Sequence, residues 1–330
     1  MALFWLGFLA LVALLLVLDL GVLHRKPIAP TVRSAAAWTA GWVVLGLSFA
    51  GVVYLIYENN WGGAHLMGCP PGHADGANAA ITYVSAYLLE QALSVDNIFV
   101  MVLVFSKFKV PPHYQHRVLF WGILGAIGFR TSMLGGGAYL VHHFDWLFYV
   151  FGGFLVYQGV KLLLKKDDDE PDPEKLLAVR LLRRYVRIVG GDHGGAFSVR
   201  KDGRFALTII AVCLIVIEVM DVLFALDSIP AVLSVSQETF IVVTSNIFAI
   251  LGLRSLYFVV AGAMRKFKYL EIALAFLLVG IGAKMIAHDL YNMQHWLSLV
   301  IIAAILTIGV VASLIAGPAE PPPDPGSSLG

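Results

Sequence analysis

The sequence predicts an all-α polytopic membrane protein of about nine transmembrane helices, six of them arranged as an inverted 3+3 helix repeat. Three observations predict it. Of 330 residues, 59% are hydrophobic and only 14% charged, with mean hydropathy +0.81, a balance foreign to soluble domains. Apolar runs of about 20 residues, the length a bilayer requires, recur along the chain. Finally, residues 79–164 and 205–288 carry the same polar signature at matching positions.

The spans fall near 2–22, 36–57, 79–105, 117–140, 146–164, 205–233, 239–263, 270–288 and 296–316. This divides the chain into two N-terminal spans (1–57), an external loop (58–78), a first repeat of three spans (79–164) and a connection (165–204). A second repeat (205–288), a C-terminal span (289–317) and a disordered Pro-rich tail (318–330) complete it. Met1–Leu20 lacks a basic leader and precedes Arg25, Lys26 and Arg33, so it reads as a span rather than a signal peptide. Basic residues cluster in alternate connections (Arg25, Lys26, Arg33; Lys107, Lys109, Arg117; Arg265, Lys266, Lys268; and 165–204), whereas loops 58–78, 141–145, 234–238 and 289–295 have none. That alternation places the N-terminus outside and the C-terminus in the cytoplasm; the membrane expected is a bacterial inner (plasma) membrane. Within 165–204, Asp167–Asp172 is an acidic run, Glu174–Val189 a basic amphipathic helix, and Phe197–Phe205 a hairpin turning at Asp202-Gly203.

Several function classes drop out. Net charge is +1 and no basic patch is interleaved with aromatics, which excludes nucleic acid as a partner. Cys69 and Cys213 sit in a loop and a span, so neither a disulfide nor a zinc site is expected. No obligatory cofactor is implied, and the chain does not read as an enzyme. An intramembrane aspartyl protease would need a Gly-x-Gly-Asp motif, but Asp96 follows Leu-Ser-Val and Asp227 follows Phe-Ala-Leu.

The segment Val212–Val232 carries Glu218, Asp221 and Asp227 in an otherwise apolar run. Each carboxylate at bilayer depth costs about 2.5–3.5 kcal/mol even on the lenient insertion scale, so something must offset it. Pro230 has no N–H for the carbonyl of Leu226, and a helix break beside Asp227 is expected. Glu90–Ile98 (EQALSVDNI) matches Asp221–Ile229 (DVLFALDSI), pairing Glu90 with Asp221, Asp96 with Asp227 and Asn97 with Ser228. Arg130 matches Arg254, and Lys161 matches Lys284. Three spans per unit, an odd number, make the second unit cross in the opposite sense, as in many secondary transporters.

Five acids (Glu90, Asp96, Glu218, Asp221, Asp227) and two arginines (Arg130, Arg254) lie inside the central spans, a balance of two minus five, or −3. A divalent cation nearly neutralises it; the competing account is arginine–carboxylate pairing that locks the helices. Helix geometry sets Asp96 about 120° around from Glu90, and Asp227 likewise from Asp221, so a straight helix does not bring both acids of one repeat into a small shell. Either the helix is broken or the acids serve different stages of a path. The central expectation is Glu90, Asp96, Asp221 and Asp227 around one cation, helped by Asn97, with Glu218, Ser228, Asn246, Arg130 and Arg254 as accessories. Carboxylate and amide oxygens without His or Cys pairs favour Mg, Ca or Mn. His65, His73, His142, His143, His288 and His295 in outer regions read as interfacial residues, Lys161 and Lys284 as snorkelling side chains, and Gly135–Gly137 with Gly152–Gly153 as helix-packing positions.

The stretches 88–100 (LLEQALSVDNIFV), 218–232 (EVMDVLFALDSIPAV) and 244–258 (TSNIFAILGLRSLYF), with 203–208 and 18–26, resemble the TerC family of integral membrane proteins, most closely its Alx-type members. The resemblance implies metal-ion homeostasis, chiefly manganese export, with tellurite resistance as a historical association. It implies acidic site positions at Glu90, Asp96, Asp221 and Asp227, with Asn97 and Asn246 beside them. Mn2+ is then the expected transported substrate, exchanged for protons. A non-transporting scaffold for metal loading or stress resistance is the competing reading.

Overall fold

The computed structural model describes residues 2–21, 32–61, 75–144, 146–164, 188–189, 194–201, 204–263, 270–287 and 295–316. Within them run nine helices: α1 (Ala2–Gly21), α2 (Val32–Glu58), α3 (Gly76–Lys107), α4 (Pro112–His143), α5 (Trp146–Leu164), α6 (Ile209–Val235), α7 (Thr239–Ala263), α8 (Leu270–Ile286) and α9 (His295–Ala316). Segments within α2, α3, α4, α6 and α7 are long and apolar enough to cross a membrane; α1, α5, α8 and α9 hold shorter apolar stretches.

Three short strands precede α6: β1 (Ile188–Val189), β2 (Ser198–Lys201) and β3 (Arg204–Thr208). The antiparallel pair β2–β3, with Lys201 opposite Arg204, is the hairpin the sequence predicts; its turn residues 202–203 lie outside the described residues. The expected helix 174–189 does not extend to its end, because Ile188 and Val189 pair in parallel with Leu207 and Thr208. The rest of that helix, the acidic run 167–172 and the tail 318–330 lie outside the described residues. Thr208 links sheet to helix: its side chain accepts from the Ala211 N–H as N-cap of α6 and donates to the Ala196 carbonyl.

A second expectation is corrected at Pro230. The proline lies inside α6, and the helix runs unbroken from Ile209 to Val235. One missing hydrogen bond is outweighed by packing on either side of it, since Ile229, Ala231, Val232 and Leu233 are all buried. No unwound segment therefore supplies backbone carbonyls beside Asp227.

The centre is a four-helix arrangement in which partners come from opposite repeats: α3 packs on α6 and α7, and α4 packs on α6 and α7. The third helices, α5 and α8, pack on each other. Two apolar clusters fill the interior. One holds Tyr83, Leu93, Leu233 and Phe248; the other holds Ile98, Val104, Val216 and Tyr257. Going along the chain, α3 and α7 pass from the first cluster to the second, whereas α4 and α6 pass from the second to the first. Repeat-equivalent helices thus run in opposite senses. Between the clusters, near the middle of each helix, lies the polar layer described below.

Small residues set the α5–α8 approach. A Cβ at Gly282 would lie 2.6 Å from the Gly152 carbonyl oxygen, and one at Gly159 would lie 2.7 Å from that of Ala275. Gly159 aligns with Gly282 and Gly152 with Ala275, so exchanging the repeats converts one contact into the other. Gly137 also faces a neighbour, Ile229 and Leu233 at 3.2 Å, whereas Gly135, Gly136 and Gly153 face open space. Gly282→Ala is expected to cost about 1–3 kcal/mol by overpacking. Gly153→Ala is expected to be neutral or slightly stabilising; thermal unfolding in detergent compares the two.

Candidate functional site

The polar layer is built on one stripe of each central helix. On α3, Glu90, Ser94 and Asn97 follow at i, i+4 and i+7 and are all buried. On α6, Asp221 and Ser228 stand seven residues apart on the corresponding stripe, both buried. Arg130 comes from α4, 1% exposed, and Asn246 and Arg254 come from α7.

Arg130 is the hub. Its Nε donates to Asp221 Oδ2 at 3.1 Å and its Nη2 to Asp221 Oδ1 at 2.8 Å, a two-pronged pairing. Its Nη1 donates to Glu90 Oε1. Asn97 Nδ2 lies 3.4 Å from Asp221 Oδ1 and donates to it. One guanidinium thus spans both repeats and neutralises part of the charge of the two repeat-equivalent acids. The sequence reading set Arg130 beside this site as an accessory; its guanidinium is the direct partner of Glu90 and Asp221. In this arrangement the locking account holds for those two acids, because a fixed cation already sits between them.

Other oxygens in the layer are left over. Glu90 Oε2, Ser94 Oγ, Ser228 Oγ, Asn246 Oδ1 and Glu218 Oε2 are buried with no hydrogen-bond partner. Glu218 lies one helical turn before Asp221, and its carboxyl rests on Gly125 of α4, where a Cβ would overlap it. Together with Gly122, Ala126, Leu253 and Arg254, Glu218 and Asp221 line a cavity of ≈ 10 Å³, about room for one water. A hydrated ion does not fit there.

Arg254 holds a partner that the sequence reading missed. Its Nη2 pairs with the Asp19 carboxylate of α1 and approaches the Asp19 carbonyl at 3.4 Å. Asp19 is 7% exposed. Near the end of the first span it reads as an interfacial acid. Its signal was being the one acid in an apolar segment, within the stretch 18–26 already noted for its resemblance.

Of the four expected carboxylates, Glu90 and Asp221 meet around Arg130. Asp96 and Asp227 stand at the helix positions about 120° around from them on unbroken helices; their side chains lie outside the described residues. Among the described residues, no group of three or more His, Cys, Asp or Glu side chains could hold a metal. Of the histidines, 65, 73 and 288 lie outside the described residues. His143 is exposed, its ring tilted against that of Tyr139 with its Nδ1 2.9 Å from the Tyr139 carbonyl. Lys161 is exposed at the end of α5, as a snorkelling residue would be.

The model of the integral membrane protein TerC family matches residues 75–320, which covers every helix from α3 to α9. The chain belongs to the TerC family. A Myxococcus xanthus protein known only as an uncharacterized membrane protein is 43% identical over 97% of this chain and 94% of its own length. An Escherichia coli K12 relative, whose name Alx describes it as a membrane-bound redox modulator, is 41% identical over 93% of this chain and 92% of its own. A Rickettsia felis membrane protein is 34% identical over 94% of this chain and 97% of its own. No solved structure matches.

Proposed function

We propose that this TerC-family protein exports divalent metal cations, with Mn2+ as cargo, through the polar layer between its two halves. The observation that carries the reading is the set of buried oxygens on α3, α6 and α7 with no hydrogen-bond partner. A buried polar atom left unmatched costs about 1–3 kcal/mol, so several in one layer call for a partner. All are hard oxygen donors, and hard cations take such donors. The opposite chain senses of repeat-equivalent helices support an inverted repeat, the architecture that alternates access by rocking one half against the other. The choice of Mn2+ among hard cations follows from the family resemblance. A redox effect like the one in a relative's name is compatible with moving a redox-active metal; the described thiol, Cys213, is buried in α6.

Asp96 and Asp227 supply the charged ligands in this reading, with Asn97, Ser228 and Asn246 beside them. Glu90 and Asp221 hold Arg130 and join the shell only when the guanidinium withdraws. In proteoliposomes the protein is expected to move Mn2+ faster than empty liposomes do, and faster still against an opposing proton gradient. Flux equal to that of empty liposomes would remove the proposal.

A second reading is favoured by one specific observation, the Arg130 bridge. It fastens three helices from two repeats without any ion, as a non-transporting scaffold would need. Calorimetry separates the two: the exporter binds Mn2+ with a saturable heat, and the scaffold gives only heats of dilution.

A further inference from the structure

The hairpin that leads into α6 has two unlike faces. On one, Ala206 is fully buried and Val199 opposite it is partly buried. The base of the hairpin packs on α4: a Cβ at Gly195 would lie 2.9 Å from the Tyr114 ring, and the Arg117 guanidinium lies over the Phe197 ring at 5.1 Å. Side chains alternate along a strand, so Ser198, Arg200 and Phe205 share the other face. All three are exposed, Phe205 at 61%, and the register sets Arg200 directly across from Phe205.

The neighbours fix the level of this face. Thr208 is both the last residue of β3 and the N-cap of α6, whose apolar stretch starts at Ile209. Phe205 stands four residues before that stretch, at most about 13 Å away at the rise of a strand. The hairpin base lies beside the first turns of α4, since it touches Tyr114 and Arg117 there. An apolar ring beside a basic side chain at the end of a span is what a membrane interface accommodates. The charge has one dominant sign. Residues 194–217 hold Arg200, Lys201 and Arg204 against Asp202 alone, and residues 97–144 hold no acid.

We propose that this face binds anionic lipid, with Phe205 seated at the boundary of headgroups and acyl chains and Arg200 on a headgroup phosphate. Free phosphate would satisfy Arg200 but leave Phe205 in water. The chain's own segment 174–187 carries Arg180, Arg183, Arg184 and Arg187, the same sign as the face, and so is not its natural cover. An anionic leaflet supplies both the charge and the apolar boundary. Because Thr208 belongs to hairpin and helix alike, the bound lipid fixes the depth at which α6 enters the bilayer.

The test uses the full-length protein with Cys69→Ser and a spin label on Ser198→Cys; Cys213 is buried and stays in place. Power-saturation resonance in liposomes compares collisions of the label with oxygen, which concentrates in lipid, and with a water-soluble nickel chelate present on both sides. In liposomes containing phosphatidylglycerol, oxygen is expected to prevail. In pure phosphatidylcholine the oxygen-to-nickel ratio is expected to fall about fivefold, the weight of one basic residue near an anionic surface. Arg200→Gln in the anionic liposomes is expected to give the same fall, and Phe205→Ser a fall in both lipids. Inorganic phosphate added to the phosphatidylcholine liposomes is expected to restore nothing.

A ratio indifferent to lipid charge and to Arg200 overturns the proposal, as does recovery with inorganic phosphate. So does nickel prevailing in every liposome, which places the face in water. Protection from both reagents overturns it too, since another part of the chain then covers the face. The exchange of lipids needs no substitution beyond the labelled chain, so it decides even should Phe205→Ser fail to fold.

Discussion

Replacing Asp96 and Asp227 together by Asn is expected to lower the initial rate of Mn2+ uptake by about 100-fold or more while leaving the protein folded. The size follows from metal chemistry: losing an outer partner of a ligand already costs 10–100-fold, and loss of charged ligands costs at least as much. The argument for these two acids comes from the layer. Glu90 and Asp221 are held by Arg130, so the acids left in the matched motifs are Asp96 and Asp227. Asn keeps the shape and removes the charge, so thermal unfolding in detergent should move little. Either single variant is expected to lose most activity, because the repeats contribute one acid each. Uptake above a tenth of the parent rate in the double variant would show that these acids are not the cargo's ligands.

Arg130→Gln is expected to act on stability, at about 3–5 kcal/mol, the usual cost of removing one partner of a buried ion pair. Glu90 and Asp221 are both buried, and Arg130 is the guanidinium that both contact. Without it, two buried carboxylates lose the cation between them. The denaturant midpoint of detergent-solubilised protein should fall accordingly. Adding Glu90→Gln and Asp221→Asn to Arg130→Gln is expected to recover much of the loss, since the charges then leave together. A single variant as stable as the parent would mean that the bridge in the polar layer is not an energetic anchor.

The spans were legible because apolar length is local information. The hairpin was legible from Asp202-Gly203 between short alternating runs. Pro230 was misread for a physical reason: a sequence shows the lost hydrogen bond but not the packing of Ile229, Ala231 and Val232 that keeps the helix intact. Ile188 and Val189 were assigned to a helix because their strand partners, Leu207 and Thr208, lie about 20 residues later in the chain. The polar layer was half legible. Burial cost marked Glu90, Asp221, Arg130 and Arg254 as important, but partner choice between helices is a tertiary fact. Two arginines and five acids fit many pairings, and nothing local assigned Arg130 to both repeats or Arg254 to Asp19. Glu218 needed the same information, since its place depends on Gly125 of another helix.

The central claim is that a hard cation is bound between the halves by oxygens of the polar layer. Anomalous diffraction at the manganese edge, from crystals grown with Mn2+, tests it most directly. The account predicts one strong peak at mid-membrane depth between α3, α6 and α7, ligated by Asp96 or Asp227 with at least one of Asn97, Ser228 and Asn246. A peak confined to the protein surface, or a polar layer in which Arg130 keeps both acids and saturating Mn2+ gives no peak, would contradict it.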